Sequence, residues 1–259
     1  LEVPEEELEE FLRPGELTRG VSIVHAMVRR MDRGVQRVCE ELRKLGLEEN
    51  TLVLFTSDNG PAMYGSGDLC MSRFNCNFAG GKGNVYEGGI RVPMLMRWPA
   101  GGLEGGRRFD DFVHATDWLP TLLKAVGNEP PSDLKLDGVN VLPSLQGERD
   151  TVNPRRFWQW NRYTPLVTCN AAMRDGDWKL VRPVIKEAMW TSPEEMQMDR
   201  DLEMDPTTFT DILRTPEPER QLSGPSPVEL YNLADDPGEE HDLAGLEPDR
   251  ASRMLTELE

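Results

Sequence analysis

Between residues 18 and 45 the apolar positions Val21, Val24, Val28, Met31, Val35, Val38, Leu42 and Leu45 recur at alternating intervals of three and four. That spacing lays one stripe along a long amphipathic helix. Gly46 suits the position just past its end, and Arg43 and Lys44 sit where cations favour a last turn. Residues 51–56 then form a short unbroken apolar run, the pattern of a strand buried in a parallel sheet. A glycine-rich loop over residues 60–89 leads to a second strand-like run at 90–98, closed by Pro99. Residues 117–126 read as a helix stopped by Gly127, with Asp117 as N-cap and Pro120 in the first turn. The opening residues 1–17 are acidic and broken by proline, which suits a surface loop or a short helical turn.

After residue 150 the periodicity changes. Strands are expected at 157–160 and 168–173, then a turn over 174–177 centred on Asp-Gly, then a return strand at 178–181. Residues 186–227 are polar, acidic and rich in proline, and read as a long surface excursion. A last strand at 228–233 precedes a turn and a short helix. A helix feeding a strand that ends in polar side chains indicates an open α/β sheet, whose sites lie beyond the carboxyl ends of its strands. The organisation expected is an α/β part over 1–152 and a small antiparallel subdomain over 153–259.

Length and composition narrow the functional classes. The 259 residues are enough to bury a core, and 29% charged with 7% aromatic residues suits a globular chain. Twenty-nine Lys and Arg against 46 Asp and Glu give a net charge of −17, which disfavours nucleic acid as a partner. No apolar run reaches membrane-spanning length. Nothing in the sequence sets an oligomeric state. The chain opens on Leu1 rather than Met, which reads as a start in mid-protein. The cysteines Cys39, Cys70, Cys76 and Cys169 have no zinc spacing. Cys39 falls in the helical stripe region as a small core residue, and Cys70 and Cys76 share one loop in which a local disulfide is one alternative.

The candidate chemistry gathers between residues 51 and 99. Asp58 and Asn59 follow the first strand, and a carboxylate beside an amide oxygen suits a hard cation such as calcium, with magnesium second. Ser-Asp-Asn-Gly is equally a good turn sequence. Lys82 stands in Ala-Gly-Gly-Lys-Gly, where glycines let backbone approach a ligand and a lysine supplies a compact charge for sulfate or phosphate oxygens. The Walker spacing is absent, and a solvated lysine on an open loop is the competing reading. Glu87 either pairs with a nearby cation such as Arg91, or orients the loop carrying Lys82, or is a surface carboxylate in a turn. The histidines His25, His114 and His241 show no ligand spacing, and no Ser/His/Asp set assembles. The tryptophans Trp158, Trp160, Trp178 and Trp190 favour a core role in the second region over a sugar-stacking platform.

Taken in order, these segments resemble the C-terminal half of a type I, formylglycine-dependent sulfatase of the arylsulfatase kind, in the alkaline-phosphatase-like superfamily. The resemblance is carried by residues 50–60, by 80–99, by Asp117-x-x-Pro-Thr-Leu-Leu and by Leu136-Asp137-Gly138. It continues through Arg174-Asp175-Gly176-Asp177-Trp178-Lys179-Leu180 and Glu229-Leu230-Tyr231-Asn232-Leu233-x-x-Asp236-Pro237. It implies part of an alkaline-phosphatase-like sandwich, a mostly parallel sheet flanked by helices, followed by a small antiparallel α+β subdomain. It also implies Asp58 and Asn59 as calcium ligands, Lys82 as the contact to sulfate oxygens, and a sulfated small molecule or glycan as substrate. A periplasmic, extracellular or lysosomal location goes with it.

The family's nucleophile is a formylglycine made from a Cys/Ser-x-Pro/Ala-x-Arg motif. Cys39-Glu40-Glu41-Leu42-Arg43 has its ends but not its Pro or Ala, so the nucleophile is expected upstream, and residues 1–259 alone are expected to be inactive. The family's His-x-Pro segment is expected just before Leu1. Two alternatives stand beside this reading: a phosphodiesterase or phosphonate monoester hydrolase of the same superfamily, and a relative without catalysis.

Overall fold

The stripe at residues 18–45 becomes helix α2 (Arg19–Lys44), once the short helix α1 (Glu5–Leu8) and a single 3-10 turn have opened the chain. The structure is a computed structural model that describes residues 3–62, 74–148, 155–208 and 217–259. The Thr18 side chain caps α2 by accepting from the Val21 N–H. At the other end Gly46 takes φ 68°, and the Leu47 and Gly46 N–H groups donate back to the Leu42 and Arg43 carbonyls. That pair of bonds closes the helix in the way the glycine predicts. Glu5, Glu7 and Glu10 pair with Arg19, Arg30 and Arg29, so the acidic opening lies along α2. Of the stripe only Val21 is buried, and in the first turns it is the off-stripe Ile23 and Ala26 that join it, whereas Val28, Met31, Val38 and Leu45 are exposed.

The chain divides into two compact units, Leu1–Asn77 with Gly88–Pro154 and Phe78–Glu87 with Arg155–Glu259. In the first unit β1 (Val53–Thr56) follows α2 as expected, but it pairs antiparallel with β2 (Met94–Arg97) and is only half-buried. An apolar run does not encode strand direction; here the partner strand is supplied by the returning chain. The expected strand at 90–98 starts late because Ile90 belongs to a one-turn helix, α3 (Glu87–Ile90). Helix α4 (Trp118–Ala125) ends at Gly127, φ 75°, as the sequence predicts. Its start differs from the expectation. Asp117 caps no N–H of α4; its carboxylate accepts from the His114 N–H in a capping box one turn earlier, and from the Val139 N–H at 2.8 Å. The Thr121 hydroxyl accepts from Val141 at 3.0 Å, just ahead of α5 (Leu142–Leu145).

The second unit is a four-stranded antiparallel sheet in the order β3 (Arg156–Gln159), β4 (Ala171–Asp175), β5 (Trp178–Arg182) and β6 (Glu229–Asn232). The β4–β5 hairpin is present, but Asp175 pairs with Trp178, so its two-residue turn is Gly176-Asp177 rather than Asp-Gly. Gly176 takes φ 62°, which sets the turn one residue later than expected. Side chains alternate across the pleat. Met173, Leu180 and Leu230 bury one face with Ala251 and Met254 of α7 (Pro248–Leu258). Ala172, Val181, Tyr231 and Leu233 bury the other face with Val85, so the segment Phe78–Glu87 covers the side opposite α7. The polar excursion holds a helix the sequence reading missed, α6 (Pro193–Met204). Ser192 caps it by accepting from Glu195, and Ser-Pro-Glu-Glu is the signal that marks such a start.

Candidate functional site

Asp58 and Asn59 stand just past β1, in a turn built by their own side chains. The Asp58 carboxylate accepts from the Asn59 N–H at 3.0 Å, and the Asn59 amide nitrogen donates to the Gly60 carbonyl at 2.8 Å. Asp58 is exposed and Asn59 half-buried. Gly60 anchors the turn: its N–H donates to the Gly89 carbonyl at 2.8 Å. A Cβ on Gly60 would lie 1.8 Å from the Gly88 carbonyl oxygen, so only glycine permits this approach of backbone to backbone. Among the described residues no group of three or more His, Cys, Asp or Glu side chains gathers to hold a metal.

Lys82 is exposed on a loop whose downstream flank is tightly held. Gly80 and Gly83 take φ 71° and 93°, conformations that a side chain would strain. Asn84 closes the loop on itself, accepting from the Gly81 N–H with its side chain and donating to the Gly81 carbonyl with its own N–H. Asn170, fully buried and itself at φ 47°, donates its amide to the Gly83 carbonyl at 2.9 Å and to the Trp160 carbonyl at 2.8 Å. Val85 then enters the sheet core. Tyr86 donates to Glu229 at 2.6 Å, and Tyr231 donates to the same carboxylate oxygen at 2.8 Å. Burial first, and then the Glu229 charge, raise the pKa of both phenols, so both remain donors.

Glu87 ends this segment in a buried ionic cluster. Lys179 lies 2.9 Å from Glu87 and 2.8 Å from Glu239, and all three side chains are shut away from water. The Glu87 N–H also donates to Glu239 at 2.6 Å. Burial pushes the Glu239 pKa up, and the Lys179 charge pulls against it. Glu239 sits at φ 58°, in a turn organised by Asp236, which accepts from the Glu240 and His241 N–H groups. A cation that pairs with Glu87 is Lys179, 92 residues further on, rather than a neighbour in sequence. Sequence reading could not find the pair, because nothing local distinguishes a buried lysine on a strand from a solvated one.

The tryptophan expectation also needs correction. Trp158 packs against the sheet core and Trp178 is stacked by Arg250 at 4.1 Å, but Trp160 and Trp190 are exposed, at 43% and 46%. Cys39 is half-buried rather than in the core, and Cys70 lies outside the described residues, so the Cys70–Cys76 alternative does too. An open cleft of about 390 Å³ is lined by Lys186, Glu187, Trp190, Glu219, Arg220 and Gln221, and Asp58, Asn59 and Lys82 are not among its lining residues. Its Arg220 is already engaged by the Ala188 carbonyl, by Glu217 and by the Tyr163 ring.

Two family models match this chain: that described as sulfatase over residues 21–128, and that described as N-sulphoglucosamine sulphohydrolase, C-terminal, over residues 81–224, more than half of the chain. The chain belongs to the sulfatase family. This sulfatase chain is 42% identical over 136 residues to the uncharacterized sulfatase YdeN of Escherichia coli (strain K12), a stretch covering 52% of this chain and 23% of that protein. It is 43% identical over 123 residues to the steryl-sulfatase of Mus musculus, covering 47% of this chain and 20% of that one. Among solved structures, Ps i-CgsB in complex with k-i-k-neocarrahexaose superposes with a TM-score of 0.70 at 25% identity, covering 99% of this chain and 46% of that one. The sulfatase chain therefore has the alkaline-phosphatase-like α/β fold of such structures and spans less than half the length of the relatives it matches. No helix among its described residues is long and apolar enough to cross a membrane.

Proposed function

We propose that these residues form the C-terminal part of an enzyme that hydrolyses sulfate esters, with Lys82 as the cation that meets the sulfate oxygens. The observation that carries it is the contrast between an exposed Lys82 and the buried groups that hold the backbone just after it. A lysine on a prepositioned loop stabilises charge where it develops without having to reorganise during the reaction. A net charge of −17 does not oppose this, since the nearest charges dominate an anion's site. In this reading residues 1–152 belong to the catalytic α/β domain and 153–259 form the small antiparallel subdomain.

Asp58 and Asn59 are the residues we assign to calcium. Their donors fit a hard cation: one carboxylate, and one amide whose nitrogen is engaged by Gly60 so that its oxygen is the atom offered to a metal. Two donors are only part of the six to eight that calcium takes, so further ligands would come from elsewhere in the enzyme. Bound there, calcium would neutralise the sulfate ester as a Lewis acid. Residues 1–259 carry no Cys/Ser-x-Pro/Ala-x-Arg motif, so a formylglycine nucleophile would also be supplied from outside them. The substrate class is a sulfated small molecule or a sulfated glycan. Support comes from the relatives, one named a steryl-sulfatase and one solved with neocarrahexaose.

The test is sulfate release from 4-nitrophenyl sulfate by the full-length protein, its Lys82→Ala and Asp58→Ala variants, and residues 1–259 alone. We expect each substitution to lower kcat/KM by about 100-fold or more, and residues 1–259 to show no turnover. Wild-type activity that survives both substitutions would overturn the assignment. So would a preference for an aryl phosphodiester over the sulfate.

A further inference from the structure

Trp160 combines an anchored backbone with an exposed side chain beside the lysine loop. It lies just past the end of β3, the edge strand of the sheet. Its N–H donates to the Asn170 carbonyl at 3.2 Å, and its own carbonyl accepts from the Asn170 side chain at 2.8 Å. The same Asn170 amide holds the Gly83 carbonyl, one residue after Lys82. A Cβ placed on Gly83 would lie 3.9 Å from the Trp160 ring, so the indole stands alongside the loop. Two residues earlier on the same face, Trp158 packs into the core with Val85, whereas Trp160 continues that face outward and stays 43% exposed.

A large aromatic carried on so anchored a backbone gains little by being left in water. Its apolar face with a polar N–H edge suits a ligand that is itself apolar on one face and hydroxylated at its rim. A pyranose ring has that character. A sulfate on such a ring could engage Lys82 while the ring covers the indole. We propose that Trp160 is a stacking platform for a pyranose ring of a sulfated carbohydrate substrate, set beside Lys82. The proposal rests on the reading of Lys82 as the sulfate contact and narrows the substrate class to glycans. The notable feature is that one buried asparagine positions both the candidate charge and the candidate platform.

The test uses the full-length protein with two probes, a carrageenan-derived sulfated hexasaccharide and 4-nitrophenyl sulfate. Trp160→Ala should raise KM for the hexasaccharide about tenfold, with kcat and the small ester changed less than twofold. Trp160→Phe should recover most of the loss, and thermal denaturation should show both variants folded. An equal effect on both probes, or none on the hexasaccharide, would overturn the platform, as would a hexasaccharide that the wild type does not hydrolyse. Lys82→Ala separates the two readings: activity that survives it defeats the sulfate contact, whatever Trp160 does.

Discussion

Lys179 Nζ lies 2.9 Å from Glu87 Oε1, and neither side chain reaches solvent. With Glu239 at 2.8 Å, the lysine neutralises two carboxylates drawn from segments far apart in the sequence. Buried ions hold one another against a large desolvation cost, so removing the central partner is far worse than removing an outer one. We expect Lys179→Met to cost about 3–5 kcal/mol, because it leaves two buried acids facing each other. Glu239→Gln keeps the Lys179–Glu87 pair and should cost much less. Urea denaturation of the two variants checks the order, and a Lys179→Met protein as stable as wild type would refute it.

Glu239 also gives stability a pH dependence. Its pKa is raised in the folded protein, from an ordinary value of 4.5, chiefly by burial. The folded state therefore keeps this proton to a higher pH than the unfolded chain does. Its contribution is complete below 4.5 and declines as the pH climbs through the raised value. Comparing wild type with Glu239→Gln isolates this group. The wild type should lose stability relative to the variant on going from pH 4 to pH 7, and a difference that stays flat would contradict the sign.

Asn170 links the lysine loop to the edge strand through two hydrogen bonds from one buried amide. Asn170→Ala removes both and places a Cβ-bearing residue without that side chain at φ 47°. Asn170→Gly relieves the backbone but leaves the same two carbonyls without their donor. Both hydrogen bonds are part-buried, and losing one of that kind costs about 0.5–1.5 kcal/mol, so both variants should be destabilised, Ala more than Gly. In the full-length enzyme, KM for a sulfate ester should rise in both variants, because the loop that presents Lys82 loses its anchor. Unchanged kinetics in a folded Asn170→Gly protein would show that this anchor does not govern the loop.

Gly60 and Gly34 make a controlled pair. A methyl on Gly60 would collide with the Gly88 carbonyl at 1.8 Å, and backbone on both sides leaves no flexible group to move. Gly34 sits inside α2 with nothing within 4 Å of its would-be Cβ. Gly60→Ala should therefore be strongly destabilising. Gly34→Ala should stabilise by about 0.5–1 kcal/mol through helix propensity. Melting temperatures of the two variants should move in opposite directions.

Much of the local structure was legible in the sequence. The three-and-four spacing gave α2, Gly46 and Gly127 gave helix ends at the right residues, and the run 228–233 gave β6. These signals succeed because helix periodicity and a left-handed glycine act over a few residues. The misses share a different cause. Asp117 caps a turn earlier because its second partner, Val139, comes from 22 residues away. The antiparallel direction of β1 depends on β2, and the exposure of Trp160 depends on where β3 ends at the sheet edge. Helix α6 is the exception: Ser192, Pro193 and Glu195 announced it locally and went unread.

The candidate chemistry divides in the same way. The sequence alone determined that Asp58 and Asn59 follow a strand, that Lys82 stands among glycines, and that the ordered motifs are those of sulfatases. Those are properties of neighbouring residues, set by side-chain type and backbone freedom. Only the tertiary structure decided what holds Lys82 in place. Lys179 and Glu229 reach the segment 78–87 from strands β5 and β6, Asn170 from the position just before β4, and Glu239 from the turn that follows β6. Burial then makes ordinary surface-type residues pair with one another, since out of water each charge or amide needs a partner, and the chain between those partners carries no mark of the pairing.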